Sequence, residues 1–210
     1  MLTLKEEFLV NVAEKEDQLD LTNDDDVLDE MRTIHQRRED RFQYQFKINL
    51  WSGIYDGKVI GPFELPENLN GANYLHFLQN DLPVLLEDLN LAQRVTMWYQ
   101  NDGCPAHYDT RVRDHLNNIF PARWIGRLGP ILWPPRSPDL NPLDFYYWGC
   151  LKEKVYEKPI QNVQQLRQRI FSAATEITRD TRITAVLKRS FIRRCRMCIR
   201  QSGGHFEYLL

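Results

Sequence analysis

Two aspartates are the residues of this sequence best placed for chemistry. Asp102 follows the apolar run Met97-Trp-Tyr99, and Asp144 follows Pro142, where a helix can begin. Carboxylates beyond the strand ends of an α/β sheet converge on a ligand site. Two such groups that share a pair of divalent ions about 4 Å apart can activate a water molecule and stabilise the leaving oxygen of a phosphodiester. The spacing alone also fits an ordinary turn at Asp102 and a helix cap at Asp144, so both interpretations stay open.

Several basic residues are candidates for contacting a phosphate. His107, five residues after Asp102, could position a phosphate or transfer a proton, or it could make a hydrogen bond at a helix start. Arg136 could contact a nucleic-acid backbone or brace the prolines around it. The C-terminal region contributes three further candidates, Arg193, Arg194 and Arg196. They belong to a basic cluster of about four helical turns that could meet phosphate or form a solvated face.

The composition of the 210-residue chain fits a globular protein, and its charge is unevenly distributed. The net charge is -2, but residues 1–40 hold 13 acids and 5 bases, whereas residues 151–210 hold 13 bases and 5 acids. No apolar run approaches the roughly 20 residues that cross a bilayer, and the acidic N-terminus does not resemble a secretory signal. The four cysteines lack zinc-site spacing and are expected to be reduced thiols. These features predict an intracellular protein that is neither secreted nor membrane-bound.

The elements that must position these residues follow from local patterns. A capping-box spacing predicts a first helix from about Leu4 to Gln18. Alternation from Phe42 to Leu65 around Asp56-Gly57 predicts a β-hairpin. The later elements are a helix after Gly71, a strand in 94–100, a helix in 111–120, a strand in 130–133, a helix from about Pro142, and helices near 163–177 and 183–201. This order predicts a mixed sheet flanked by helices.

Two sequence segments carry a family resemblance. Trp98-Tyr-Gln-Asn-Asp-Gly-Cys-Pro-Ala-His107 precedes the proline-rich segment that runs from Trp133 through Ser137-Pro-Asp-Leu-Asn-Pro142 to Trp148. Together they resemble the catalytic domain of mariner-superfamily transposases, and the resemblance extends from about Phe42 to the C-terminus.

The resemblance implies an RNase H-like fold in which three acids hold Mg²⁺ or Mn²⁺ for cleavage and joining of transposon DNA ends. Asp102 matches the second acid and Asp144 the third, whereas Asp139 belongs to the motif as a structural residue. The first acid, its strand and a complete N-terminal helix-turn-helix unit are not recognisable before Phe42, so the chain resembles a truncated or rearranged descendant. A substitute acid would come from the following group: Asp20, Asp24, Asp25, Asp26 and Asp29.

The expected organisation is an acidic, largely helical segment at 1–41, a partial RNase H-like domain at 42–160 and a basic helical extension at 161–210. The leading hypothesis is a transposase-derived DNA-binding protein that has lost transposition, with weak Mg²⁺ or Mn²⁺ binding and no organic cofactor or small-molecule substrate. One alternative is a metal-dependent DNA endonuclease completed by an N-terminal aspartate. Another is a protein-interaction module that pairs through an exposed hairpin edge at Phe42–Trp51, which would allow a homodimer. The acidic N-terminal helix could instead cover this edge. A DNA ligand implies nuclear residence, and otherwise a cytoplasmic location is expected.

Overall fold

A computed structural model describes residues 5–9, 46–134, 137–180 and 183–209, with the backbone alone for 5–9 and 183–185. Three antiparallel strands form the first sheet in the order β1-β2-β3. They are β1 (Lys5–Leu9), β2 (Lys47–Tyr55) and β3 (Lys58–Leu65). The predicted hairpin is therefore confirmed. Asp56 (φ 47°) and Gly57 (φ 78°) form its turn with positive φ values, which suit the right-handed twist of paired strands.

The N-terminal strand corrects three expectations: its residues are not helical, a strand does precede Phe42, and the edge of the hairpin is not exposed. Residues Lys5–Leu9 form β1 and not part of a helix, while the rest of the predicted helix to Gln18 lies outside the described residues. Glu7 is paired with Asn49 and Phe8 with Ile48 in the antiparallel register. Five residues are too few for apolar spacing to separate a helix from a strand, and pairing with β2 decides the outcome. β2 thus has a neighbour on both sides, and the hairpin edge expected to be exposed is covered along Lys47–Trp51.

A second sheet contains three short parallel strands in the order β4-β5-β6. They are β4 (Tyr99–Gln100), β5 (Trp124–Gly126) and β6 (Ile131–Leu132). The strand predicted in 94–100 is correct only at its end, because Arg94–Thr96 belong to a helix. Asn90 explains this difference, since its side chain and that of Gln93 form a capping box that starts the helix.

Helices cover both sheets. They are α1 (Gly71–His76), α2 (Leu82–Leu85), α3 (Leu91–Thr96), α4 (Thr110–Ile119), α5 (Trp148–Val155), α6 (Val163–Arg179) and α7 (Ile183–Arg200). A π-helical stretch at Phe77–Asp81 joins α1 to α2, and another at Leu143–Tyr147 leads into α5. The predicted helices after Gly71, in 111–120, from Pro142 and in the C-terminal region are confirmed. No helix in the described part of the chain has both the length and the apolar character needed to span a membrane.

Two buried clusters hold the layers together. The first joins Leu50 of β2 to Leu143, Tyr147 and Leu166, and so packs the π-helical stretch before α5 and helix α6 on one face of the first sheet. The second joins Trp51 to residues of α1, β4 and α4 on the other face. Alternate residues of β2 point to opposite faces, which places helices on both sides of one strand. The predicted mixed α/β layer fold is confirmed.

Candidate functional site

The end of β4 is fixed by a buried polar network. The Tyr74 hydroxyl donates to Asn101 Oδ1 at 2.8 Å and lies 2.8 Å from the Tyr99 hydroxyl. Because Tyr74 has one hydroxyl proton, Tyr99 must donate the second hydrogen bond. Burial raises the pKa of both phenols, so both remain protonated and able to donate. The network therefore holds the backbone immediately before Asp102.

Asp102 presents its carboxylate just beyond β4. Its Oδ1 accepts a hydrogen bond from the Cys104 backbone N–H at 2.9 Å and lies 2.5 Å from His107 Nδ1. An ionised carboxylate can only accept, so Nδ1 of His107 carries the donated proton. The Asp102 side chain is 32% exposed, whereas His107 is 1% exposed. Oδ1 is thus occupied by two donors, which leaves Oδ2 as the oxygen available to a ligand.

His107 is held firmly in the second core cluster. Its ring lies 4.3 Å from the ring of Tyr74, and it stands in the short 3₁₀ helix Pro105–Tyr108. Its Nε2 is buried without a hydrogen-bond partner among the described residues. The buried ring of His107 therefore orients the Asp102 carboxylate. A direct contact between His107 and a phosphate stays a prediction.

Asp144 lies in the first turn of the π-helical stretch Leu143–Tyr147. Asn141 Nδ2 donates to Asp144 Oδ2 at 2.7 Å, and Asn141 Oδ1 accepts from the Leu143 backbone N–H at 3.2 Å. Although Asp144 is exposed, the protein around its carboxyl partly excludes water and raises its pKa to about 6. The negative charge of Asp102 also raises this pKa, and the hydrogen bond from Asn141 opposes the shift. The two predicted acids are therefore close enough to interact electrostatically, while their catalytic role stays a prediction.

The donor set suits a hard divalent cation. Carboxylate oxygens are ligands that Mg²⁺ and Mn²⁺ prefer, and a cation would relieve the repulsion between Asp102 and Asp144. Among the described residues, however, no three His, Cys, Asp or Glu side chains come together as a metal-binding group. The suggested substitutes between Asp20 and Asp29 lie outside the described residues. The described site consists of two acids.

The predicted basic residues fall into three situations. Arg136 lies outside the described residues. Arg193 and Arg196 are exposed on α7. Arg194 is only 15% exposed, because its guanidinium packs 4.2 Å from the Phe145 ring centre and donates to the Asp139 carbonyl at 3.2 Å. Its contacts make Arg194 a brace for the segment that carries Asp144.

Sequence reasoning missed three residues that shape the site. Tyr74 and Asn101 fix the end of β4, and Asn141 positions Asp144. Asn141 stands inside the proline-rich motif, and an asparagine three residues before an acid is a signal for such a contact. No local signal in the sequence points from Tyr74 to Asn101, 27 residues away.

The arrangement of sheets, helices and paired acids defines an α/β fold of the RNase H-like class. No family model matches the chain. In sequence, the chain is 26% identical over 163 residues to the transposable element Tc3 transposase of Caenorhabditis elegans. The match covers 77% of this chain and 46% of that protein, so the chain spans about half the length of this relative.

Solved structures of Mos1 mariner transposase share the fold. The crystal structure of the Mos1 catalytic domain matches with a TM-score of 0.63 at 21% identity, over 77% of this chain and 76% of that one. A pre-cleavage Mos1 transpososome matches with a TM-score of 0.69 at 17% identity, over 97% of this chain and 55% of that one. The Mos1 catalytic domain has also been solved with raltegravir and Mn, and with raltegravir and Mg. The resemblance to mariner-family transposases and the RNase H-like fold are thereby confirmed.

Proposed function

We propose that this chain is a transposase-derived DNA-binding protein that keeps a weak divalent-cation site and has lost transposition. The observation that carries the proposal is the electrostatic coupling of Asp102 and Asp144 in a chain with the Mos1 fold. Mos1 itself is known in a paired-end complex with the left transposon end, which supports DNA as the ligand class and allows a homodimer. A nuclear location is part of the proposal, because DNA is the ligand.

In this proposal Asp102 Oδ2 and the Asp144 carboxylate hold one Mg²⁺ or Mn²⁺. A bound ion would polarise a phosphate oxygen and lower the pKa of a coordinated water. The protein contributes the orientation of the ligands: His107 and the Cys104 N–H fix Asp102, and Asn141 fixes Asp144. Two acids leave the charge and spacing of a two-metal site incomplete, so binding is weak and strand cleavage inefficient.

The test combines cation binding, DNA binding and DNA nicking. Mn²⁺ binding is followed by water-proton relaxation in the unaltered protein, in Asp102→Asn/Asp144→Asn, and in the exposed control Asp88→Asn/Asp114→Asn, which makes the same charge change. We expect weak Mn²⁺ binding that only the first double variant loses. We also expect DNA binding by all three proteins and equal background nicking of supercoiled plasmid. Absent DNA binding, or Mn²⁺ binding that survives Asp102→Asn/Asp144→Asn, would contradict the proposal.

One observation favours a metal-dependent DNA endonuclease as the second candidate. β1 brings Glu6 into register with Leu50, and Leu50 packs with Leu143 and Tyr147, which flank Asp144. In this candidate, Glu6 on β1 would be the third acid beside Asp102 and Asp144. Nicking that disappears in both Asp102→Asn/Asp144→Asn and Glu6→Gln, but persists in Glu14→Gln, would favour this candidate over the first.

A further inference from the structure

Helix α7 has two faces with different surroundings. At about 100° per residue, Leu187 and Arg194 lie on one side of the helix. Leu187 is 5% exposed and Arg194 15% exposed. The opposite side is a groove of about 550 Å³ with six lining residues: Arg189, Ile192, Arg193, Arg196, Met197 and Arg200. The helix is therefore anchored by one face and presents the other outward.

The four arginines of this groove, which we name the arginine face, form a continuous row. Their spacings of four, three and four residues keep them within about 60° of one another around the helix axis. From Arg189 to Arg200 the row extends about 16 Å, at 1.5 Å per residue. One strand of duplex DNA carries a phosphate about every 3.4 Å along its axis, so the row matches about five base pairs.

The chemistry of the arginine face favours a polyanion over an apolar partner. An apolar partner would remove four guanidinium groups from water without supplying acceptors, which is costly. Phosphate oxygens accept from guanidinium in a bidentate geometry, and Arg193 gives only one of its five donors to the Leu209 carbonyl, at 3.3 Å. Ile192 and Met197 also line the groove and lie on either side of the arginine row around the helix axis.

We propose that the arginine face binds the phosphate backbone of duplex DNA, and that Arg194 holds this face at a fixed position relative to Asp144. The inference rests on the proposed function and names the surface that performs the binding. Arg194 contacts the Asp139 carbonyl and the Phe145 ring, and Phe145 directly follows Asp144. It also lies 3.6 Å from Glu207 Oε1 in the C-terminal 3₁₀ helix. One helix thus joins the DNA-binding surface to the acid pair.

The experiment measures binding of a fluorescent duplex by anisotropy between roughly 50 and 300 mM salt, a range over which the Debye length falls from about 14 Å to about 6 Å. Arg193→Gln/Arg196→Gln removes two charges from the face, and Lys58→Gln/Arg179→Gln removes two exposed charges elsewhere. We expect the first variant to bind roughly tenfold more weakly at low salt, with a salt slope shallower by about 2. We expect Arg193→Lys/Arg196→Lys to restore the slope and the control to behave as the unaltered protein.

Two results would overturn the inference. In the first, the unaltered protein binds DNA and Arg193→Gln/Arg196→Gln keeps its affinity and slope, which rejects the arginine face while the proposed function stands. In the second, the arginine variants lose binding to anionic phospholipid vesicles and not to DNA, which assigns the face to a membrane surface. Failure of the unaltered protein to bind DNA would instead reject the proposed function. Thermal unfolding of each variant verifies that the exposed substitutions leave the fold intact.

Discussion

Replacing Tyr74 by phenylalanine tests the network that fixes the end of β4. The substitution keeps the ring, which is 1% exposed, and removes one hydroxyl that serves two hydrogen bonds of 2.8 Å. Asn101 Oδ1 and the Tyr99 hydroxyl proton are then left without their partner. Each unsatisfied buried polar group costs about 1–3 kcal/mol, so for the two groups together we expect the free energy of unfolding to fall by about 2–6 kcal/mol.

Urea unfolding at neutral pH, monitored by tryptophan fluorescence and circular dichroism, measures this loss. The matched control is Tyr55→Phe, because the Tyr55 hydroxyl is half-buried and its hydrogen bond to the Gln93 carbonyl is long, at 3.5 Å. Its expected effect is within about 0.5 kcal/mol. Equal effects of the two substitutions would refute the reasoning, because the Tyr74 hydroxyl would then contribute no more than a peripheral one. We also expect Tyr74→Phe to weaken Mn²⁺ binding, since Asn101 directly precedes Asp102.

Three further predictions concern pH, packing and metal. Burial raises the pKa of Tyr147 to about 12; because its unfolded value is about 10, the folded state binds more protons between these values. The free energy of unfolding should therefore fall as the pH rises above 10, by up to about 3 kcal/mol from this group. Urea unfolding across pH 8–11 measures this loss, which should be less steep in Tyr147→Phe. Leu166→Ala empties a fully buried position and should cost about 2–5 kcal/mol in urea unfolding, whereas Val163→Ala, 39% exposed, should cost under about 1 kcal/mol. At tenfold excess over its dissociation constant, Mn²⁺ should stabilise the fold by about 1.4 kcal/mol, and this increment should vanish with EDTA or in Asp102→Asn/Asp144→Asn when thermal unfolding is followed.

Local patterns predicted the elements whose signals are short-range. The hairpin follows from alternation around Asp56-Gly57, and the helix before Phe120 follows from its apolar spacing. The pairing of Asp102 and Asp144 in one site was predicted from a family motif, because spacing alone fits an ordinary turn at Asp102 and a helix cap at Asp144 better than a metal site. Their interaction depends on the three-dimensional fold, in which the charge of Asp102 contributes to the raised pKa of Asp144.

The errors have physical causes that differ from one another. The apolar pattern at 94–100 predicted a strand, but the capping box of Asn90 and Gln93 starts a helix that includes Arg94–Thr96. β1 depends on a partner strand some 40 residues away, which local periodicity cannot show. The nucleic-acid contact of Arg194 stays a prediction, although proximity in sequence to Arg193 and Arg196 does not place it on their face of the helix. Helical periodicity would have placed it more than a quarter turn away from Arg193, on the anchored face.

The π-helical stretch before α5 gives the fold an uneven tolerance to changes in chain length. A π turn contains one residue more than an α turn, so Leu143–Tyr147 is the place where a single deletion could leave a regular helix behind. Such a deletion would keep Asp144 and the buried Leu151 close to their present orientation around the helix axis, because the wide turn has already absorbed the extra residue. A deletion inside the regular helix α5 would instead rotate Asp144 by about 100° relative to the buried residues beyond it. Descendants of this fold can therefore lose one residue in this stretch and keep the acid pair in place, whereas the same loss within α5 would turn Asp144 away from its present orientation.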